Sequence, residues 1–175
     1  MRRLTIVQGE FLVVDQPDVM VATILGSCIA VCLVDRVASI GGINHFVLAA
    51  PDVGSTEKGA ALQRYGVHAM ELLINGLLAR GGTRNNLSAH VYGGANMIAG
   101  LGRIGTANAD FAFAFLGVEG IPITHADTGG RLARRVEFRP CQGRSRCRLA
   151  DATDRQVEAK PLPLPLVPHG ALELF

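Results

Sequence analysis

The chain has no tryptophan, two tyrosines and seven phenylalanines among 175 residues. Platforms on which bases could stack are scarce, and a nucleic-acid-binding surface built on aromatics is disfavoured. No run of about 18 or more apolar residues occurs, so no membrane-spanning helix is expected. The N-terminus, Met1-Arg2-Arg3-Leu4, enters alternating strand-like sequence without a secretory apolar region. A cytoplasmic chain with no direct membrane insertion is the expectation. Charged residues are 18% of the chain against 49% hydrophobic, with a mean hydropathy of +0.28, which is too apolar for intrinsic disorder. That length and balance suit one folded domain with its own core.

The net charge of +2 is unevenly spread, because Arg131 to Arg148 holds seven arginines and one acid. Such a stretch could meet nucleic acid or an acidic partner, but solvated strands are its simpler reading.

Along the chain, Leu4-Thr5-Ile6-Val7, Phe11-Leu12-Val13-Val14 and Val19 to Leu25 read as strands, with a turn around Gln16-Pro17-Asp18. Cys28-Ile29-Ala30-Val31-Cys32-Leu33-Val34 is a continuous apolar run closed by Asp35-Arg36, as a fully buried strand would be. Ile40 to Leu48 reads as its hairpin partner across Asp35 to Ser39. Pro51 to Lys58 reads as a polar loop. A helix follows on the spacing of Leu62, Tyr65, Ala69, Leu72, Leu73, Leu77 and Leu78, ended by Gly81-Gly82. Leu87 to Tyr92 predicts a strand, Gly93 to Met97 a tight turn, and Gly100 to Gly105 a glycine-rich loop. Asn108 to Leu116 predicts a helix and Ile121 to Ala126 a strand. A last hairpin runs from Ala133 to Leu149 across Gln142-Gly143-Arg144. Residues 151–175 alternate prolines with leucines and read as an extended tail beyond a domain at 1–150.

Four cysteines invite a metal reading, but Cys28-x3-Cys32 and Cys141-x5-Cys147 are not the two-residue knuckles of structural zinc. On one strand Cys28 and Cys32 would lie roughly 13 Å apart at about 3.3 Å per residue, too far for one metal or a disulfide. No metal is expected, and the thiols are read as free. Cys28 stands at the Gly26-Ser27 junction, where a thiol can sit at a sheet edge, whereas Cys32 is mid-strand. A hairpin turning near residues 36 and 37 would set Cys28 opposite His45, with directly opposed Cβ atoms about 4.5 to 5.5 Å apart. A cysteine beside a histidine is the working pair of thiol hydrolases, the imidazole taking the proton and the sulfur attacking an acyl carbon. A third group must orient the imidazole: Thr23 is a candidate, and Asn44, a neighbour along the strand, points the other way. The glycine turns at Gly93-Gly94 and Asp127-Thr128-Gly129-Gly130 could instead cradle a phosphate, but no full nucleotide fingerprint accompanies them. His68, His90, His125 and His169 show no partner signal.

Five separated motifs resemble the CheD family, the chemoreceptor glutamine deamidases. They are Leu25-Gly26-Ser27-Cys28-Ile29-Ala30-Val31-Cys32-Leu33, Ile40 to Leu48 with Asn44-His45, Arg64-Tyr65-Gly66, Tyr92-Gly93-Gly94-Ala95-Asn96-Met97, and Asp127-Thr128-Gly129-Gly130-Arg131-x-Ala133-Arg134. The resemblance covers roughly residues 1–150. It implies an α+β fold, a β-sandwich core with helices packed on the outside and a cysteine-hydrolase-like active site. It implies hydrolysis of glutamine side chains on the cytoplasmic helices of methyl-accepting chemotaxis receptors to glutamate and ammonia, without a cofactor. Some members also hydrolyse the glutamyl methyl esters. By position, Cys28 would be the nucleophile and His45 the general base. The family's threonine stands six residues before the cysteine, where this chain has Ala22, and Thr23 is taken as the orienter. Gly26, Ser27, Asn44, Gly93, Gly94, Asp127, Thr128 and Gly129 would shape the site or bind substrate. A CheC-type phosphatase is a further partner that the resemblance implies. The alternative reading is a non-catalytic binding module of the same fold that regulates such a phosphatase.

Overall fold

The computed structural model describes residues 1–48, 56–97 and 103–151, with residues 56–62 as backbone only. The strands are β1 (Arg2–Thr5), β2 (Phe11–Val14), β3 (Val19–Leu25), β4 (Ile29–Asp35), β5 (Ile40–Phe46), β6 (Leu87–Gly93), β7 (Ile123–Thr128), β8 (Arg134–Arg139) and β9 (Arg144–Leu149). The helices are α1 (Thr56–Leu78) and α2 (Ile104–Val118). One sheet has the order β1-β3-β8-β9 and the other β2-β5-β4-β6-β7.

Three layers result, and the sequence of β4 shows why. Every residue of β4 and of β5 is buried, because the larger sheet is covered on both faces. Ile29, Val31 and Leu33 face one core with Met70, Leu73, Ile74 and Leu77 of α1 and Ala109, Ala112 and Leu116 of α2. Ala30, Cys32 and Val34 face a second core, filled from the smaller sheet by Val21, Leu25, Val136 and Phe138. The expected β-sandwich with helices outside is thus present, and both helices lie on the same outer face. No helix among the described residues is long and apolar enough to cross a membrane. The arginines of the basic stretch lie on and around β8 and β9, where Arg134, Arg135 and Arg148 pair with Asp127, Glu137 and Asp151.

Four expectations are corrected. The β4–β5 hairpin pairs Ala30, not Cys28, with His45, and its last pair is Asp35 with Ile40. The turn is therefore residues 36–39, held by the Asp35 carboxylate, which accepts hydrogen bonds from the N–H groups of Val37 and Ala38, each at 2.9 Å. Ser39 completes it in the left-handed region at φ 55°. Moving the centre of a hairpin by one residue moves the pairing by two, which keeps the same face. Next, α1 begins at Thr56, inside the segment read as loop, and α2 begins at Ile104 and runs through Gly117. Finally, β7 continues through Asp127 and Thr128, read as turn, because both extend its pairing with β6, at Tyr92 and Gly93. The Gly100-Leu101-Gly102 part of the glycine-rich loop and residues 152–175 of the tail lie outside the described residues.

Asp35 is fully buried and also accepts from the N–H of Thr83 at 2.9 Å, so one carboxylate joins the hairpin turn to the approach of β6. Replacing it by alanine leaves three backbone donors without that acceptor. Asp35→Ala is expected to destabilise the fold by roughly 2–4 kcal/mol, measured by denaturant unfolding; a loss below about 0.5 kcal/mol would contradict this assignment.

Candidate active site

Thr23 lies on the inner face of β3, with Val21 and Leu25, and so points at the larger sheet. Its Oγ1 is 2.9 Å from the Ile6 carbonyl oxygen and 2.9 Å from His45 Nδ1. A carbonyl can only accept, and a hydroxyl has one proton to donate. With that proton on Ile6, Thr23 must accept from His45, so Nδ1 carries the imidazole proton and Nε2 presents a lone pair. His45 Nε2 is buried and has no hydrogen-bond partner among the described residues. Burial also disfavours the charged ring and brings the His45 pKa from 6.5 down to about 4. The imidazole is thus neutral, held in one tautomer and equipped to take a proton from a neighbour.

Cys28 and His45 line one cavity of about 270 Å³, together with Thr23, Gly26 and the Val7-Gln8 turn. Cys28 stands just before β4, two residues from Ala30, the partner of His45, and so on the same face as the imidazole. Its thiol donates to Gln8 Oε1 at 3.4 Å. The turn carrying Gln8 is fixed from two sides. Glu10 Oε2 accepts from the N–H of Val7 at 2.9 Å, and Gly9 N–H donates to the His45 carbonyl at 2.8 Å.

The loop before Cys28 is pinned from behind. The Gly26 carbonyl accepts from Ala95 N–H at 2.9 Å and the Cys28 carbonyl from Gly94 N–H at 2.8 Å. The Ser27 carbonyl between them accepts from Asn108 Nδ2 at 2.7 Å. Gly93 makes this approach possible: at φ +107° a Cβ there would stand 2.2 Å from the Cys28 carbonyl oxygen. The carbonyls point toward α2 and the 94–95 turn, neither of which lines the cavity. Peptide planarity then turns the N–H edges of the loop to the opposite side.

Of the residues singled out from sequence, Cys28, His45, Thr23 and Gly26 meet in the cavity. Ser27, Gly93 and Gly94 form the wall behind Cys28. Asp127, Thr128 and Gly129 brace that wall: Thr128 pairs with Gly93, Gly129 N–H donates to the Gly93 carbonyl, and Arg134 binds Asp127 Oδ1 and the Gly129 carbonyl at 2.9 and 2.7 Å. The glycine turns therefore support the site without lining the cavity. Asn44 faces the helices, accepting from Val31 N–H at 3.0 Å and donating to the Ala69 carbonyl at 3.2 Å. Among the described residues no cluster of three His, Cys, Asp or Glu side chains is arranged to hold a metal ion, and none of the four cysteines is in a disulfide.

A family model described as CheD chemotactic sensory transduction matches residues 47–149. A protein of Agrobacterium fabrum named "Probable chemoreceptor glutamine deamidase CheD" is 47% identical over 178 residues, 99% of this chain and 97% of its own length. Proteins of the same name from Zymomonas mobilis and Caulobacter vibrioides are 52% identical over 90% of this chain and 45% identical over 99%, covering 85% and 93% of their own lengths. The chain belongs to the CheD family. Among solved structures, this CheD chain is similar to Bacillus licheniformis YfiH, at 18% identity and a TM-score of 0.41, covering 67% of this chain and 49% of that one.

Two residues at the CheD site had no role in the sequence reading. Gln8 sits in a glycine-containing turn between two short strands, an unremarked position until the thiol is seen beside it. Asn108 read only as the start of a helix.

Thr23→Val keeps the shape of the side chain and removes the hydroxyl that sets the His45 tautomer. Turnover is expected to fall by about tenfold or more, a share of the roughly 10²–10⁴ a general base contributes. The acid limb of the wild-type rate should lie near pH 4, below which His45 is protonated, and not near its ordinary 6.5. A pH–rate profile tests both, and an acid limb between pH 6 and 7 would contradict a buried neutral imidazole.

Proposed function

We propose that this CheD chain is a chemoreceptor glutamine deamidase that hydrolyses the side-chain amides of selected receptor glutamines to glutamate, releasing ammonia, with Cys28 as nucleophile and His45 as general base. The observation that carries the assignment of roles is the orphaned Nε2 of a neutral His45 in the same cavity as the Cys28 thiol. Thiol proton transfer to Nε2 accompanies attack of Sγ on the amide carbon, and the tetrahedral adduct places negative charge on its oxygen. The N–H groups of Ser27 and Cys28, turned away from the held carbonyls of their peptides, are the donors assigned to that charge. His45 returns the proton to the departing nitrogen, ammonia leaves, and a thioester remains. Water, activated by the same Nε2, hydrolyses it to glutamate and free thiol. A glutamyl methyl ester reaches the same thioester with methanol as leaving group.

A cavity of about 270 Å³ suits one extended side chain, while the remainder of the substrate stays outside on the surface. That fits a glutamine carried by an exposed receptor helix, and the reaction proposed is one in the cytoplasm, where those helices are. The family resemblance supports a CheC-type phosphatase as a second partner on an overlapping surface. The non-catalytic alternative has no use for an imidazole held neutral, in one tautomer and facing a thiol.

Purified chain incubated with the cytoplasmic helical domain of a chemoreceptor should release ammonia, with a glutamine-to-glutamate mass gain at defined positions. Cys28→Ser should lower the rate by about 10³-fold or more with the melting temperature unchanged. Ammonia release that survives this change would remove Cys28 from the mechanism.

A further inference from the structure

The carboxamide of Asn108, one turn into α2, lies completely buried between the two halves of the site. Its Nδ2 donates to the Ser27 carbonyl at 2.7 Å, and its Oδ1 accepts from the N–H of Leu48 at 2.8 Å. The partners fix which end is which, since a carbonyl only accepts and a backbone N–H only donates. Ser27 is the residue before the nucleophile. Leu48 follows β5 closely, three residues after His45. A single side chain thus ties the peptide that carries Cys28 to the strand that carries His45.

The fold goes to some length to bring α2 there. A Cβ on Gly105 would stand 2.4 Å from the carbonyl oxygens of both Gly94 and Ala95, so only glycine lets the helix lie this close. Asn96 closes the contact, its Oδ1 accepting from Thr106 N–H at 3.3 Å and its Nδ2 donating to Thr106 Oγ1 at 2.9 Å. With the helix seated, the next turn delivers Asn108 to Ser27.

We propose that Asn108 is a positioning residue for the deamidation: by holding the Ser27 carbonyl and the Leu48 N–H together, it sets the plane of the Ser27–Cys28 peptide and the separation of the thiol from the His45 imidazole. The inference rests on the reading of Cys28 and His45 as nucleophile and base. Gly26 and Cys28 carbonyls are held by backbone groups, so Asn108 is the side chain through which this loop is open to substitution. The two arms of the amide predict different consequences for different replacements. Alanine removes both arms. A carboxylate keeps the acceptor for Leu48 but sets an oxygen against the Ser27 carbonyl, and buried there it holds its proton to a higher pH than usual. Once protonated it donates to Ser27 as the amide does.

Two readouts test this on the full chain. The first is the rate of Cys28 alkylation by iodoacetamide, followed by peptide mass spectrometry with Cys141 as internal reference. The second is kcat and KM for ammonia release from a receptor cytoplasmic domain. Asn108→Ala should slow Cys28 alkylation and lower kcat by about tenfold or more, the effect of an ångström-scale misplacement, with KM changed by less than about threefold. Asn108→Asp should recover toward wild-type rates as the pH is lowered from about 8 to about 5.5, a range over which wild type shows no such recovery. Should the alanine variant not fold, the pH response of the aspartate variant decides. Wild-type alkylation rates and kcat in a folded variant, or an aspartate variant whose pH profile parallels wild type, would overturn the role of Asn108. A wild-type chain that alkylates selectively at Cys28 yet releases no ammonia would instead overturn the deamidase reading, and the alkylation arm would still decide Asn108.

Discussion

The hydroxyl of Thr23 has one proton and two neighbours, the Ile6 carbonyl and His45 Nδ1, each 2.9 Å away. Because the carbonyl can only accept, that proton goes to Ile6 and the imidazole must donate to Thr23. From this follow the tautomer of His45, the free lone pair on Nε2 and the direction in which the ring can take a proton. Burial adds the charge state, lowering the pKa of the ring to about 4 and keeping it neutral in the resting enzyme. Thr23 belongs to one sheet, His45 to the other and Ile6 to the segment after β1. The interaction therefore exists only when the sandwich is closed, which couples the competence of the base to the integrity of the fold.

Cys28 is held differently. Its thiol donates to Gln8, an exposed residue on a turn. Its backbone is held rigidly, with three consecutive carbonyls bound from the side away from the cavity. The thiol can then meet a substrate amide while the peptide behind it stays in place. Glycines at the points of closest approach, and a helix pressed onto them, are what this arrangement requires. The order of elements reflects it: β6 ends in the turn that backs Cys28, α2 clamps the turn, and β7 braces the turn from its far edge.

Much of this was legible in the residues. The all-apolar run from Ile29 to Val34 announced a strand buried on both faces, and its hairpin partner carried His45 as expected. The register was misjudged by two positions because the Asp35 carboxylate shapes a turn of residues 36–39, a side-chain effect that period-two patterning does not contain. Parity protected the conclusion, since a shift of two leaves Cys28 and His45 on one face. Thr23 was legible for the same reason: it alternates with Val21 and Leu25 on the inward side of β3. Asn108 was not, because its partner at Ser27 lies 81 residues away and nothing local in an alanine- and phenylalanine-rich helix reveals a polar clamp. The glycine turns were noticed, but whether they faced the substrate or the back of the nucleophile depended on the packing of α2, which no local pattern states.

The central claim is that Cys28 is activated by a neutral His45. Its most direct measurement is the rate of iodoacetamide alkylation at each of the four cysteines against pH, in wild type and in His45→Ala. Selective reaction of Cys28 near neutral pH, lost in His45→Ala while Cys141 is unchanged, is the predicted result. Equal and slow reaction at Cys28 in both proteins would contradict it.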